Sequence, residues 1–278
     1  MHRIGCLILS RKGIVMASKY QDVLYTVDAS HKARFDRLCC EASSVSHGTG
    51  EEGIGTLGEK RMHAIIKRYL CEDHAYHEVG VCDTGYVSDV RIGNDVYEVQ
   101  TGAFYPMKKK IAHYLENTDC TVTVVHPISV ERFVTWVDVK TGEMTPRKRS
   151  PKRERAIHLL PELYCLLPHL GNDRLRFRLL MIEEEDFRIL TGRKDNRKRG
   201  ARLYERMPLS LLGEIEFSKP EDFAVFLPAD LPSTFTVKDF SQRTGLRGRD
   251  AYSAVHVLEK LGLITKTEPI GRAMAFRI

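Results

Sequence analysis

Asp89 and Glu98 flank the dipeptide Gly93-Asn94, a two-residue hairpin signal. Such a turn pairs Ile92 with Asp95, and counting outward in that register puts Asp89 directly opposite Glu98. Opposed side chains on an antiparallel pair have Cβ atoms roughly 4.5–5.5 Å apart, where two carboxylates repel unless a cation lies between them. Gln100, two residues beyond Glu98, projects on the same face, while Tyr97 and Val99 face away. Two carboxylates, a side-chain amide and a nearby backbone carbonyl form an oxygen-rich set suited to a hard divalent ion, Mg²⁺ or in its place Mn²⁺. Such an ion activates water and offsets charge on a phosphate in the transition state. A plainer reading fits the same spacing, with Asp89 and Glu98 facing solvent on an edge hairpin and Arg91 compensating both.

Other chemistry is less well supported. His63 follows Glu59 by one turn and flanks the same region, whereas His74 and His77 have no metal-ligand spacing with Cys71, Glu72 or Asp73. The sequence holds no GxxxxGK phosphate loop and no GxSxG nucleophile turn, which sets aside NTP-driven and serine-hydrolase mechanisms.

The elements around the acids follow from periodicity. Met62, Ile65, Ile66, Tyr69 and Leu70 recur at helical spacing, predicting a helix over 57–71 that carries Glu59. Strands are expected at 77–81, 86–92 and 96–100, then a helix opened by Pro106 with Met107, Ile111 and Leu115 on one face. A buried strand at 120–125 and a further strand and turn over 132–142 follow. Residues 26–56 are polar and rich in Ser and Gly towards their end, so little structure is expected there. Helix, three strands, helix, strand describes an α/β sandwich with a mixed sheet.

With Asp89 and Val90 on one strand and Tyr97, Glu98, Val99 and Gln100 on the next, behind a helix carrying Glu59, residues 55–140 resemble the PD-(D/E)xK superfamily of restriction-endonuclease-like folds. The resemblance implies that Asp89 and Glu98 bind Mg²⁺, that Glu59 completes or orients the metal shell, and that Gln100 occupies the usual lysine position. Glutamine there orients water but brings no charge to the developing anion. Lys108, Lys109 and Lys110 open the following helix, either as a solvated basic face or as a replacement that reaches back. Members that cut both strands pair, so the resemblance also raises a homodimer.

The chain divides into an extension over 1–54, the nuclease-like domain over 55–146, a basic middle region over 147–234 and a C-terminal module over 235–278. The middle region holds two basic runs, Arg147 to Arg155 and Arg188 to Arg206, the latter including Arg197, Lys198 and Arg199. An apolar helix near 156–167 and a strand near 175–182 are expected between them. In the C-terminal module Thr236 and Asp239 suggest a capped helix, Gly245 a turn, and Ala251, Ala254, Val255, Leu258 and Leu261 the buried stripe of a second helix. Two strands follow, and the whole resembles a smaller α+β winged helix-turn-helix domain. That resemblance aims Arg247, Arg249, Tyr252 and Ser253 at bases and Lys266 or Arg272 at phosphates.

The formal charge of +6 over 278 residues suits a polyanionic partner. Seven scattered cysteines without a CxxC pair give neither a disulfide framework nor a zinc knuckle, which fits a reduced, cytoplasmic setting. The apolar patch from Ile4 to Leu9 is interrupted by Arg11 and Lys12 and is not read as a signal, and nothing approaches the ~18–20 apolar residues of a membrane span. The expectation is a Mg²⁺-dependent endonuclease acting on duplex or branched DNA. The alternatives are an inactive nuclease-like DNA-binding protein, a regulator or a recombination or repair accessory, and an RNA-directed nuclease.

Overall fold

The computed structural model describes residues 23–44, 58–81, 85–138, 143–190 and 201–278. Its centre is a mixed sheet ordered β1 (His77–Gly80), β2 (Val87–Ile92), β3 (Asp95–Val99), β4 (Thr121–Val137), β6 (Leu175–Leu190) and β7 (Ala201–Phe217), with β5 (Lys148–Arg149) paired to β4. β3, β4 and β6 run parallel, and the remaining pairs are antiparallel. The turn at Gly93, with φ of +61°, pairs Ile92 with Asp95 and Val90 with Tyr97, the register expected from the sequence.

One face of the sheet is covered by α1 (Ala29–Ser44) and α2 (Gly58–Leu70). Met62, Ile65, Ile66 and Tyr69 of α2 pack with Val99, Val125 and Leu180, so the stripe read from the sequence is the buried one. The helix α1 corrects the expectation of little structure there. The Asp28 carboxylate accepts the Ser30 N–H at 2.8 Å as an N-cap, and Phe35, Leu38 and Cys39 enter the same cluster. Burying side chains of that size stabilises by about 1.5–3 kcal/mol each, enough to hold a helix of weak local propensity.

The other face carries α3 (Lys108–Asn117) and α4 (Leu159–Leu163), the latter extended by short 3₁₀ turns over Ala156–His158 and Tyr164–His169. The two strands expected at 120–125 and 132–139 are one continuous β4, because Pro127 sits within the ladder, its Cα paired with Leu180, and does not end it. β6 likewise runs past 182 to Leu190, and β7 enters where only a basic run was read. These outer halves are charged yet partly buried, and they hold because acids meet bases. Arg132 lies 2.6 Å from Glu184 and 3.0 Å from Glu154, Arg188 lies 2.7 Å from Asp186, and Arg61 of α2 lies 2.9 Å from Glu205.

The C-terminal segment forms a three-stranded antiparallel sheet ordered β8 (Thr234–Thr236), β10 (Ala273–Arg277) and β9 (Thr265–Ile270), with helices α5 (Val237–Thr244) and α6 (Arg249–Lys260). The Thr236 hydroxyl accepts the Asp239 N–H at 3.3 Å while the Asp239 carboxylate accepts the Thr236 N–H at 2.9 Å, and Gly245 ends α5 with φ of +77°. Thr236→Ala is expected to cost about 1 kcal/mol through loss of this cap, read as a lowered midpoint in urea unfolding with unchanged slope. The α6 helix packs against α4 and the 3₁₀ turn after it, and Ala254, Val255 and Leu258 share one apolar cluster with Leu159, Leu163, Ile111 and Val124. No helix among the described residues is long and apolar enough to cross a membrane.

Candidate functional site

The hairpin of β2 and β3 brings Asp89 beside the end of β3. One oxygen of the Asp89 carboxylate accepts the Val99 N–H at 2.7 Å, and the same oxygen lies 3.2 Å from Nε2 of His63 on α2. Burial alone would raise the Asp89 pKa, but His63, the Val99 N–H and the charge of Lys110 outweigh it and hold this carboxyl below its usual value.

Glu98 has the opposite balance. It is 4% exposed, and burial pushes its pKa up to about 7, with the Asp89 charge adding to the rise and Lys110 opposing it. Nζ of Lys110 lies 2.5 Å from Oε2 of Glu98, and the Tyr114 hydroxyl donates to Oε1 at 3.2 Å. Two neighbouring carboxyls are thus driven apart in acidity, the pattern that marks acid–base and metal-binding positions. It also disposes of the plainer reading. Glu98 does not face solvent, and Arg91 compensates neither acid, since its guanidinium donates to the Gly93 and Gly80 carbonyls at 3.1 and 2.8 Å.

Lys110 is the residue the sequence left open. It precedes Tyr114 by one turn, and Ile111 and Tyr114 of the buried stripe fix the rotation of α3 so that Lys110 turns toward the sheet. Its neighbours Lys108 and Lys109 are exposed. Gln100 lies just past β3 with its backbone N–H on the Val125 carbonyl at 2.9 Å, and its side chain donates to the Ala103 carbonyl at 2.6 Å, turned along its own loop.

Glu59 lies in the first turn of α2, and its side chain is outside the described residues. Among the described residues no group of three or more His, Cys, Asp or Glu is drawn together as a ready metal cage. A third acid still stands nearby. The ladder pairs His77 with Val90 and Val79 with Ser88, which sets Glu78 across from Asp89. Glu78 has a φ of +52°, costly for a residue with a side chain, and its carboxylate is paired with Lys67 at 2.8 Å.

Of the residues expected to meet DNA, Arg247, Arg249, Lys266 and Arg272 are exposed, and Tyr252 is 50% exposed. Arg197, Lys198 and Arg199 lie outside the described residues. Ser253 is 8% exposed, so the expectation that it reads bases is corrected. One flank of α6 is sealed against α4, and the opposite face, with Arg249, Tyr252 and Lys260 exposed and His256 and Glu259 half-buried, is open to a ligand. The clefts at Ile157, Phe226 and Thr244 and at Leu170, Phe177 and Phe223 have volumes of about 20 and 10 Å³, room for little more than a water, and share no lining residue with the carboxylates.

A family model described as a domain of unknown function (DUF8091) matches residues 60–218, more than half of the chain and inclusive of Asp89, Glu98 and Lys110. No curated protein and no solved structure matches the chain.

Proposed function

The chain belongs to the DUF8091 family, and we propose that it is a metal-dependent DNA endonuclease with a variant PD-(D/E)xK site on a restriction-endonuclease-like sandwich, joined to a winged-helix-like DNA-gripping module. The observation that carries this reading is the pairing of a low-pKa Asp89 with a buried, high-pKa Glu98 at the end of β3, flanked by His63 and Lys110. The order of α2, β1, β2, β3, α3 and β4, with the acids on the second and third strands, supports it.

The residues fit a hard divalent cation. Two close carboxylates with one member resisting ionisation are an arrangement that a cation relieves, and the oxygen donors match Mg²⁺ or Mn²⁺. Asp89 and Glu98 would hold the ion, with Glu59 completing its shell. When bound, it supplies a more acidic water and offsets charge on the phosphate. His63 holds the Asp89 carboxylate in place from α2, and the Val99 N–H fixes the same oxygen from the strand. Lys110 keeps a positive charge at the carboxylates, the part that lysine plays at the position occupied here by Gln100.

A second reading, a DNA-binding protein without catalysis, is favoured by Gln100 being tied to Ala103 and by Lys110 closing directly on Glu98. The two separate in one comparison of wild type and Glu98→Ala on single-stranded, duplex and branched DNA, with and without Mg²⁺ or Mn²⁺. Metal-dependent cleavage that disappears in the variant is expected. DNA binding without cleavage by either protein establishes the second reading instead.

A further inference from the structure

Resting on the endonuclease reading, we propose that a ridge from the carboxylate pair to the start of α6 is a single-stranded DNA track. Unpaired bases stack on Tyr105, Tyr164 and Tyr252, and a free strand is thereby led to the cleavage site.

The tyrosines are the first observation. Apolar side chains in this molecule are largely buried, yet Tyr105 is 74% exposed, Tyr252 50% and Tyr164 42%. Tyr105 is not loose. Phe104 and Met107 on either side are buried, and the Phe104 N–H donates to the Glu162 carboxylate at 2.9 Å. The ring is therefore held out to solvent on a turn fixed at both ends, within the loop that joins Gln100 to α3.

Continuity is the second. The Glu162 bond ties the Tyr105 turn to α4, and α3 packs on the 3₁₀ turn that begins at Tyr164. The ring of Tyr164 lies 6.4 Å from that of His256 on α6, and Tyr252 precedes His256 by one helical turn on the same side. The turn that carries Tyr105, the α4 segment that carries Tyr164 and the helix that carries Tyr252 thus adjoin one another in that order.

Charge selects the partner. Lys108 and Lys109 rise beside Tyr105, and Arg249 opens α6 beside Tyr252. The acids along the way are partly engaged, Glu162 by the Phe104 N–H and Glu259 by His256 at 3.1 Å, with Asp250 exposed. Exposed rings interleaved with Lys and Arg suit a single strand, whose bases offer faces for stacking and whose phosphates are neutralised alongside. Duplex DNA hides those faces.

The test measures fluorescence anisotropy of a labelled oligo-thymidine and of a blunt duplex with the full chain in EDTA, so that no cleavage intervenes. Tyr105→Ala, Tyr164→Ala and Tyr252→Ala are each expected to weaken oligo-thymidine binding by roughly five- to one-hundred-fold. Phenylalanine at the same positions retains wild-type affinity within about two-fold, since stacking needs the ring and not the hydroxyl. The duplex affinity stays unchanged in Tyr105→Ala and Tyr164→Ala, whereas Tyr252 lies on the helix expected to meet duplex DNA and is scored on oligo-thymidine alone. Alanine variants that bind oligo-thymidine as wild type does, phenylalanine variants as weak as alanine ones, or equal loss on the duplex in the Tyr105 and Tyr164 variants would overturn the track. Tighter binding of oligo-uridine than oligo-thymidine would overturn its assignment to DNA. Oligo-thymidine binding that depends on the tyrosines, in a protein that cleaves nothing with metal present, leaves the track standing and removes the endonuclease reading. Metal-dependent cleavage without that dependence does the reverse.

Discussion

Glu98→Gln is expected to abolish metal-dependent cleavage and, in EDTA at pH 8, to make the protein more stable than wild type by about 1–3 kcal/mol. The sign follows from the carboxyl's pKa of about 7 in the folded chain against its ordinary value of 4.5. A raised carboxyl pKa means that the folded state holds the proton more tightly than the unfolded chain. Its stabilising share is therefore complete below about 4.5, is lost as pH rises to about 7, and stays lost above it. Glutamine has the shape of the protonated acid, keeps one carbonyl oxygen that can accept from Tyr114 or from Lys110, and carries no charge to strand in the interior. Urea unfolding of both proteins at pH 5 and pH 8 checks this, the gain appearing at pH 8 and nearly vanishing at pH 5. A variant less stable than wild type at pH 8 would mean that the Lys110 pair outweighs the burial of Glu98. A gain in stability joined to loss of cutting is what a site built for function at the expense of the fold predicts.

Lys110→Ala should lower the cleavage rate by roughly 10²–10³ while changing the apparent Mg²⁺ affinity only a few-fold. The lysine donates to Glu98 from α3 and brings the one charge that Gln100 does not. If it replaces the usual lysine, the second-site change Gln100→Lys in the Lys110→Ala protein should recover at least about ten-fold of the lost rate. The side chain of Gln100 donates to its own loop at the Ala103 carbonyl, so a lysine there can turn to the carboxylates without disturbing the sheet. Single-turnover rates at saturating metal distinguish the cases. An unaffected rate in Lys110→Ala removes Lys110 from the chemistry, and a lowered rate without rescue makes its role one of holding Glu98.

The part of the site that was legible in the sequence is the part fixed by short-range rules. A two-residue turn dictates register, so Asp89 beside Glu98 followed from Gly93 and Asn94, and the stripe of α2 followed from its 3.6-residue period. What escaped depends on partners far along the chain. The strands β6 and β7 carry Glu184, Asp186, Glu205 and Arg206, residues that alone spell a solvated loop. Only pairing with Arg132, Arg188 and Arg61 lets several of them be buried. The helix α1 escaped because its apolar residues are few and gain their value from the α2 face they meet. Lys110 was half legible. Three consecutive lysines point three ways round a helix, and the sequence left open whether any of them reaches back; that Lys110 is the inward one depends on the sheet that receives it, a tertiary fact.

The sealed flank of α6 has a mechanical consequence. Because α6 packs on α4 and the 3₁₀ turn after it, and Leu258 and Val255 belong to the same apolar cluster as Leu159, Ile111 and Val124, one continuous core joins α6 to the sheet that carries the carboxylate pair. On the proposed endonuclease reading, a strand gripped at α6 would meet the cleavage site at a fixed reach, as a bench stop sets the length of a cut, so the break should fall a constant number of nucleotides from whatever α6 holds.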